Sequence, residues 1–373
     1  MSLGIIIGMS NVTSSFRGAD KHTSVASEIR RKIASGEFSP GSQLPHRTEL
    51  EGVFQVSKVT LQRVMNTLIA DGFIDATRNK GSFVVERPPH LSRYALAFQG
   101  TPQDSSTGNQ HWARFWMALV NEAACREREH KVSLPVFYGI DGHPDSGCYQ
   151  RLVSEVEEHR VAGVIFVAAH PRLPDLSLQR RTGVPAVTIQ CPPQTGVPCV
   201  VIDYESFVIR ALEHLRQRGR RRVAFICPSN FSESMSEFIH QQVAAHGMET
   251  RPYWIQGIET EIPSAARNCV HLLMAPVQPE RPDALIITDD NLTEAATTGL
   301  LAAGIKVPGE IEVVGHANFP WKTPCVVETR RLGYDVRRLL QASLQSIDAQ
   351  RRGQSAPQII NMTAQFENEL PAQ

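Results

Sequence analysis

Residues 47–86 read RTELEGVFQVSKVTLQRVMNTLIADGFIDATRNKGSFVVE, and this stretch decides the fold of the N-terminal part of the chain. Apolar side chains recur at positions 61, 64, 65 and 68, which is the spacing of one buried helix face. Ser57 precedes this face as a candidate N-cap, and Gly72 follows it as a stop signal. No acidic residue occurs between these two before Asp71. The pattern predicts a helix whose outer face is basic and polar.

A shorter helix is predicted just upstream and a β-hairpin just downstream. Residues 47–54 have apolar positions that turn to one side, and residues 55–56 leave room only for a tight turn. Two helices with this break form a helix-turn-helix, whose second helix is built to lie in a major groove. Residues 73–77 and 82–86 are predicted to be two strands around a basic tip at residues 78–81, as in a wing that contacts phosphate or the minor groove.

The order and spacing of these features over some 65 residues resemble the GntR family of bacterial repressors. The residues that carry the resemblance are Ile29, Ile33, Gly36, Pro40, Gly41, Leu44, Pro45, Glu49, Leu50, Val56, Ser57, Thr60, Asp71, Gly72, Phe73, Ile74, Gly81, Ser82, Phe83 and Val84. The resemblance implies a winged helix-turn-helix DNA-binding domain over residues 23–87. A disordered leader is predicted at residues 1–22 and a stiff proline-containing linker at residues 88–93.

Nine residues are predicted to contact double-stranded DNA. They lie in the two helices and at the wing: Arg47, Thr48, Ser57, Lys58, Thr60, Gln62, Arg63, Lys80 and Gly81. Three of them, Thr48, Lys58 and Gln62, stand where the family commonly has arginine. Because arginine favours guanine and glutamine favours adenine, an operator that departs from the usual family sequence is expected. The alternative is a merely solvated helix face, since residues 20–87 hold ten Lys and Arg against eight Asp and Glu.

Composition places the chain among soluble globular proteins. Lys plus Arg equals Asp plus Glu at 38 each, so a nucleic-acid face has to be a local patch. The seven cysteines are scattered and never spaced as C-x-x-C, which favours reduced thiols over disulfides or a zinc site. No run approaches 18 apolar residues, so no membrane span and a cytoplasmic location are expected.

From residue 94 onward, short apolar runs alternate with amphipathic helices. The runs are residues 94–98, 164–167, 186–189, 223–226, 284–287 and 311–314. Near-continuous apolar strands between helices are typical of a parallel sheet covered on both faces, which is an α/β fold.

The same part of the chain resembles the LacI/GalR type of periplasmic-binding-protein fold. The resemblance rests on residues 161–165, 183–187, 201–203, 211–224, 282–284, 289–290 and 304–315. It implies that residues 94–373 form a two-lobed effector-binding domain of doubly wound parallel sheets, with a small molecule bound between the lobes. Crossings between the lobes are expected near Asp203, near Phe319 and at the C-terminal helix.

Seven polar residues that follow strand ends are the predicted effector contacts. They are Gln99, His170, Gln190, Ser206, Glu237, Asp289 and Asn318. Sugar-binding relatives grip hydroxyl groups with an arginine and an aspartate, where this chain has Glu237 and Ala317. The effector is therefore expected to be a small polar molecule, a sugar or a related metabolite, with the case for a simple sugar weakened.

The prediction for the whole chain is a homodimeric repressor that binds a palindromic operator under effector control. No P-loop, nucleophile-elbow or H-E-x-x-H motif and no lysine motif for pyridoxal phosphate is present, so neither enzyme activity nor a cofactor is predicted. The alternative is a regulator whose C-terminal domain is a dimerisation or protein-interaction module with a decayed ligand site.

Overall fold

The computed structural model describes residues 10–77, 80–100, 113–130, 132–140, 146–167, 182–190, 197–321 and 323–371. The chain divides into two compact units. The first comprises Met1–Ala97, Glu127–Ile165 and Arg172–Ala186. The second comprises Phe98–Arg126, Phe166–Pro171 and Val187–Gln373.

The described residues of the N-terminal head form three helices and a hairpin. The helices are α1 (Ser10–Ala34), α2 (Arg47–Phe54) and α3 (Lys58–Ala70), and the strands are β1 (Ile74–Thr77) and β2 (Gly81–Val84). The strands pair antiparallel, from Ile74 opposite Val84 to Thr77 opposite Gly81. The helix pair and the hairpin lie where the sequence predicts them.

The core of the head is built from the apolar face of α3. Leu61, Val64, Met65 and Leu68 are buried and pack with Ile29 of α1 in one cluster. Burying an aliphatic side chain of this size contributes roughly 1.5–3 kcal/mol. This packing fixes the rotation of α3, so its opposite face is turned to solvent.

Two segments differ from the expectations for the leader and the linker. Helix α1 begins at Ser10, so the part of the predicted leader from residue 10 onward is helical; residues 10–34 contain no proline to stop the helix. The predicted linker contains helix α4 (Pro89–Ser92). Pro89 is the first residue of this helix, a position where proline is tolerated. Its His90 ring stacks on Phe73, with centroids 6.2 Å apart.

After the head, the described residues form two six-stranded sheets. Their strands are β3 (Tyr94–Phe98), β4 (Val136–Phe137), β5 (Gly163–Val167), β6 (Ala186–Ile189), β7 (Cys199–Asp203), β8 (Val223–Pro228), β9 (Ile255–Ile258), β10 (Ala284–Ile287), β11 (Glu312–Phe319), β12 (Arg330–Asp335), β13 (Ile359–Thr363) and β14 (Gln365–Phe366). The strand order is β13-β7-β6-β5-β3-β4 in the first sheet and β14-β12-β11-β10-β8-β9 in the second. The second sheet is parallel except where β12 meets β14.

Helices connect these strands, as doubly wound sheets require. They are α5 (Arg114–His130), α6 (Gly147–Glu157), α7 (Tyr204–Gln217), α8 (Glu233–Ala245), α9 (Ser264–Leu273), α10 (Asp290–Ala302) and α11 (Val336–Arg351). Aspartates cap three of them at the strand ends: Asp203 for α7, Asp289 for α10 and Asp335 for α11.

The path between the two sheets follows part of the expected topology. The chain leaves the first sheet at Asp203, as predicted, and returns after α11 to add β13 beside β7. The crossing expected near Phe319 is wrong, because β11 is followed by β12 in the same sheet. These two strands lie close together at Gly333, where a Cβ would stand 1.8 Å from the Ala317 carbonyl oxygen.

Candidate nucleic-acid interface and ligand cavity

The polar face of α3 is accessible, as the sequence predicts. Lys58 and Arg63 are exposed and Gln62 is half-buried. On the preceding helix, Arg47 and Thr48 are exposed at the first turn. Lys80 and Gly81 of the wing are exposed too, while Arg78 and Asn79 at its tip lie outside the described residues. We call the nine predicted DNA contacts together the recognition surface.

Gln62 is held at both ends of its amide. Arg47 donates to Oε1 of Gln62, and Nε2 of Gln62 donates to Oδ1 of Asn66 at 2.8 Å. An amide oxygen has two lone pairs and an amide nitrogen two hydrogens, so each keeps one site for a further partner. The side chain that would read a base is therefore oriented by its neighbours. Asn66 was not among the predicted contacts.

Ser57 and Thr60 have a local structural role in this surface. Ser57 Oγ accepts from the Thr60 backbone nitrogen at 3.2 Å and lies 2.9 Å from Thr60 Oγ1. This is the N-cap that the sequence predicts, and it satisfies one of the four free N–H groups of the first turn.

The wing is held against the segment that precedes α2. Gln43 Nε2 donates to the Lys80 carbonyl oxygen at 2.8 Å, directly beside Gly81. Gly81 has φ +107°, and a Cβ there would lie 2.7 Å from Gln43 Nε2. Both facts explain the glycine at this position. Gln43 was missed because no local pattern marks a side chain that reaches a strand 37 residues away.

A buried arginine lies where the head meets the first unit's remaining part. Arg30 of α1 is 3% exposed and forms an ion pair with Asp71 at 2.5 Å and another with Glu158. Ser27 Oγ also donates to Glu158, at 2.7 Å, and Arg160 approaches Asp71 to 3.9 Å. We call these five residues the Arg30 cluster. Asp71 is the C-cap of α3, and Glu158 is the C-cap of α6.

A cavity of about 360 Å³ opens in the second unit at the carboxyl ends of β8 and β10. Twelve residues line it: Tyr204, Phe207, Val208, Cys227, Pro228, Asn230, Phe231, Ser232, Met235, Ile239, Thr288 and Asp289. Its size and mostly apolar lining are those of small-molecule sites. Strand ends of an open α/β sheet are also where ligands bind in this class of fold. We call it the ligand cavity.

The polar groups at the rim of the cavity are partly engaged with each other. Asp289 Oδ1 accepts from the backbone and side-chain nitrogens of Asn291, at 2.8 and 2.7 Å. Gln190 forms a hydrogen bond with the Tyr204 side chain and accepts from the Ile202 backbone nitrogen at 2.7 Å. Tyr204 as a whole residue is 44% exposed, but its hydroxyl is buried. This burial, together with the negative charge of Asp289, raises the pKa of Tyr204 to about 12.

A buried polar group lies next to the cavity. The His316 ring packs against Phe207, which lines the cavity, and against Tyr334, with centroids 5.6 Å away in each case. Asn318 Nδ2 donates to Oδ2 of Asp290 at 2.8 Å. Burial raises the pKa of Asp290, against the lowering effect of His316. Asp290 is part of the LacI/GalR resemblance but was not among the predicted effector contacts, and His316 was missed because it stands within a mostly apolar run.

The seven predicted effector contacts are not all brought together. Asp289 lines the ligand cavity. The Ser206 hydroxyl is engaged by the backbone, since it donates to the Asp203 carbonyl at 2.7 Å and accepts from the Ala364 nitrogen at 3.0 Å. Asn318 is buried and Glu237 is exposed, and neither lines the cavity. Gln99 is half-buried, and His170 lies outside the described residues.

Three further features concern other kinds of site. Within the described residues, no group of three or more His, Cys, Asp or Glu side chains is arranged to hold a metal ion. None of the helices described is long and apolar enough to cross a membrane. The cysteines in this part of the chain form no disulfide; they are Cys125, Cys148, Cys199, Cys227, Cys269 and Cys325.

Two family models match separate parts of the chain. Residues 21–84 match the bacterial regulatory proteins of the gntR family, and residues 212–361 match the periplasmic binding protein-like domain. The first match covers the head with α2, α3 and the hairpin. The second begins in α7 and ends in β13, and it includes most of the cavity lining.

The chain is similar to curated proteins and to solved structures. The arabinose metabolism transcriptional repressor of Geobacillus stearothermophilus is 22% identical over 334 residues, which is 83% of this chain and 85% of the relative. The structure of a transcriptional regulator CelR–cellobiose complex has 20% identity and a TM-score of 0.54, and the match covers 84% of this chain and 90% of that one. A ribose operon repressor from Burkholderia thailandensis has 18% identity and a TM-score of 0.53, over 73% and 98% of the respective chains. The structural matches establish the α/β fold.

Proposed function

Because the chain joins a gntR-family head to a periplasmic binding protein-like domain, we propose that it is a ligand-responsive transcription repressor. The observation that carries the proposal is the exposure of Lys58 and Arg63 on a helix whose other face forms the core of the head. In this function α3 enters the major groove of an operator, and the wing contacts the adjacent backbone. The protein acts as a homodimer on a palindromic site, since two-fold symmetry in the protein matches two-fold symmetry in the DNA.

The second half of the proposal is control by a small molecule. Relatives of this chain are repressors whose names refer to arabinose and ribose, and one solved relative is a complex with cellobiose. Binding in the ligand cavity would change operator affinity only if the two states of the protein bind the effector unequally. A coupling of ~1–3 kcal/mol corresponds to roughly 5–150-fold control.

The test of DNA binding is a gel shift with an operator selected from a random duplex library by the wild-type chain. We expect the double variant Lys58→Ala, Arg63→Ala to lose most of the affinity for that operator. A matched control is Lys306→Ala, Arg352→Ala, which removes the same charge from exposed positions of the second unit. Equal affinity of the two double variants would contradict the proposed role of α3.

The alternative is that the C-terminal domain serves only in dimerisation or protein interaction. A metabolite screen by thermal unfolding separates the two functions. A ligand at 100 times its Kd stabilises the folded protein by ~2.7 kcal/mol, which is a readily measured shift. The ligand cavity favours the sensor, and a screen in which no metabolite stabilises the chain favours the interaction module.

A further inference from the structure

The residues that line the ligand cavity include one charged side chain, and its charge is negative. Among the twelve lining residues, all within the described part of the chain, Asp289 is the one carboxylate, and no lysine, arginine or histidine is present. Burial raises the pKa of Cys227 to about 12, so this thiol is neutral at pH 7. An anionic ligand would therefore meet a negative charge and no positive partner among these residues.

Asp289 has an oxygen to offer a ligand. Both hydrogen bonds from Asn291 go to Oδ1, and Oδ2 has no hydrogen-bond partner among the described residues. A carboxylate oxygen at the rim of an apolar cavity is a strong acceptor, because hydrogen bonds with ionised partners are stronger than neutral ones. The group that best satisfies it is an N–H or O–H donor, and a positively charged donor satisfies it most.

The remaining polar side chains of the lining are Tyr204, Asn230, Ser232 and Thr288, and all of these except Asn230 have a hydrogen-bond partner among the described residues. Ser232 caps α8 by accepting from the Met235 nitrogen at 3.2 Å, and its hydroxyl lies 2.8 Å from that of Ser234. Thr288 Oγ1 lies 3.5 Å from the Ile226 carbonyl oxygen as a donor. With Asn230 as the one such side chain left beside Asp289, a sugar would bury hydroxyl groups that lack hydrogen-bond partners, which weakens its binding.

The walls of the cavity suit a flat apolar body. Tyr204, Phe207 and Phe231 contribute aromatic rings, and Val208, Met235 and Ile239 contribute aliphatic or thioether surface. Aromatic faces attract cations as well as other rings. The lining thus combines two features that favour the same kind of molecule, a carboxylate at the rim and aromatic rings along the walls.

We infer that the effector of this cavity is an organic amine, with its ammonium group at Asp289 and an aromatic or flat apolar body between Tyr204, Phe207 and Phe231. The inference rests on the proposed function, because it names the ligand class of the proposed sensor. It differs from the expectation of a sugar, for which the cavity has neither an arginine nor enough free polar groups among the described residues.

The test compares three probes that share a benzyl or phenyl ring: benzylamine, benzyl alcohol and benzoate. Their binding to the full chain is measured by saturation-transfer NMR titration. We expect benzylamine to bind about tenfold or more tightly than benzyl alcohol, since a hydrogen bond to a charged partner is stronger than one between neutral groups. Benzoate should bind more weakly than the alcohol because Asp289 repels it.

Two variants locate the effect. Asp289→Asn removes the charge but keeps a side chain that caps α10 as well as aspartate does, so it should abolish the preference for benzylamine over benzyl alcohol. The control Glu213→Gln removes an equal charge from an exposed position of α7 outside the cavity lining, and should leave the preference intact. Phe231→Ala should weaken the binding of all three probes.

The outcomes separate this inference from the proposed function. Binding of benzoate as tight as that of benzylamine, an amine preference that survives Asp289→Asn, or no binding of any probe overturns the amine. Operator binding by gel shift is measured on the same preparations. If the wild type binds its operator while the amine fails, only the ligand class is wrong; if it binds no operator, the regulator itself is wrong.

Discussion

Gln62 lies on the polar face of α3, and we propose that it contacts a base of the operator. Its amide is oriented by Arg47 on one side and Asn66 on the other, which would lower the entropy lost on binding an adenine. We predict that Gln62→Arg changes the preferred base at one operator position from adenine to guanine, by about 1–3 kcal/mol in discrimination. Gel shifts with operators that differ at that single position measure the change.

A control on the same helix keeps the interpretation specific. Ile69 lies in the last turn of α3 and is 40% exposed. Ile69→Ala should therefore leave the adenine preference in place. If Gln62→Arg binds both operators in the wild-type ratio, Gln62 contacts no base.

For single residues, the sequence predicts solvent exposure better than it predicts side-chain contacts. The positions of Lys58 and Arg63 follow from helical phase alone, because the apolar stripe fixes the face that is left outside. The bond from Gln62 to Asn66 follows the same i, i+4 spacing and could have been found. Gln43 against Lys80 could not, since that contact exists only after the hairpin has folded against the segment before α2.

Among the elements, α1, α3 and α6 are connected by the Arg30 cluster. Arg30 is 3% exposed, and its partners Asp71 and Glu158 are about one-fifth exposed. We predict that Arg30→Ala destabilises the chain by about 3 kcal/mol, near the lower end for a broken buried pair, because Glu158 loses its cation and Asp71 keeps only the more distant Arg160. The measurement is urea unfolding followed by circular dichroism.

The neighbouring arginine supplies the control. Arg31 pairs with Glu28 on the exposed side of α1, where solvent screens the interaction. Arg31→Ala should change the unfolding midpoint far less than Arg30→Ala does. Similar midpoints for the two variants would mean that the Arg30 cluster contributes no more than a surface pair. The sequence alone could not identify this cluster, because Arg30 and Glu158 are 128 positions apart.

Helices α9 and α10 pack closely at a glycine. A Cβ on Gly299 would lie 2.6 Å from the Arg267 carbonyl oxygen, a backbone atom that cannot move aside cheaply. We predict that Gly299→Ala destabilises the second unit by about 1–3 kcal/mol through overpacking. The predicted 1–3 kcal/mol is the net effect, since the cost of the contact has to outweigh the gain in helix propensity of about 1 kcal/mol that alanine brings. Thermal and urea unfolding measure the difference.

A second helical glycine, Gly52, has space for a Cβ and serves as the control for the effect of alanine on stability. Gly52 lies within α2 with no atom within 4 Å of its ideal Cβ. Gly52→Ala should therefore stabilise the head by about 0.5–1 kcal/mol. Two substitutions with the same sign would show that propensity, and not the contact with Arg267, controls the effect at Gly299.

For the molecule as a whole, the sequence predicts the strands well and their connections less well. The runs at residues 94–98, 186–189 and 284–287 coincide with β3, β6 and β10. The crossing near Phe319 was wrong because apolar runs look alike in either sheet, and only pairing decides which one a strand joins. The cavity was missed for a related reason: apart from Asp289, its lining residues were not singled out, and the helices α7 and α8 must pack before they meet.

The charge balance of the whole chain determines how operator binding should respond to salt. Because Lys plus Arg equals Asp plus Glu at 38 each, the molecule as a whole has no attraction to a polyanion, and its affinity has to come from the recognition surface. The logarithm of affinity should then fall linearly with the logarithm of salt concentration, by about 0.9 for each phosphate contacted.

We predict that Lys80→Ala, at the exposed wing, reduces that slope by about 0.9 while weakening binding to all operators alike. Lys306→Ala, exposed in the second unit, should leave the slope unchanged. An unchanged slope after Lys80→Ala would mean that the wing does not contact phosphate, and that the backbone contacts come from α2 and α3 alone.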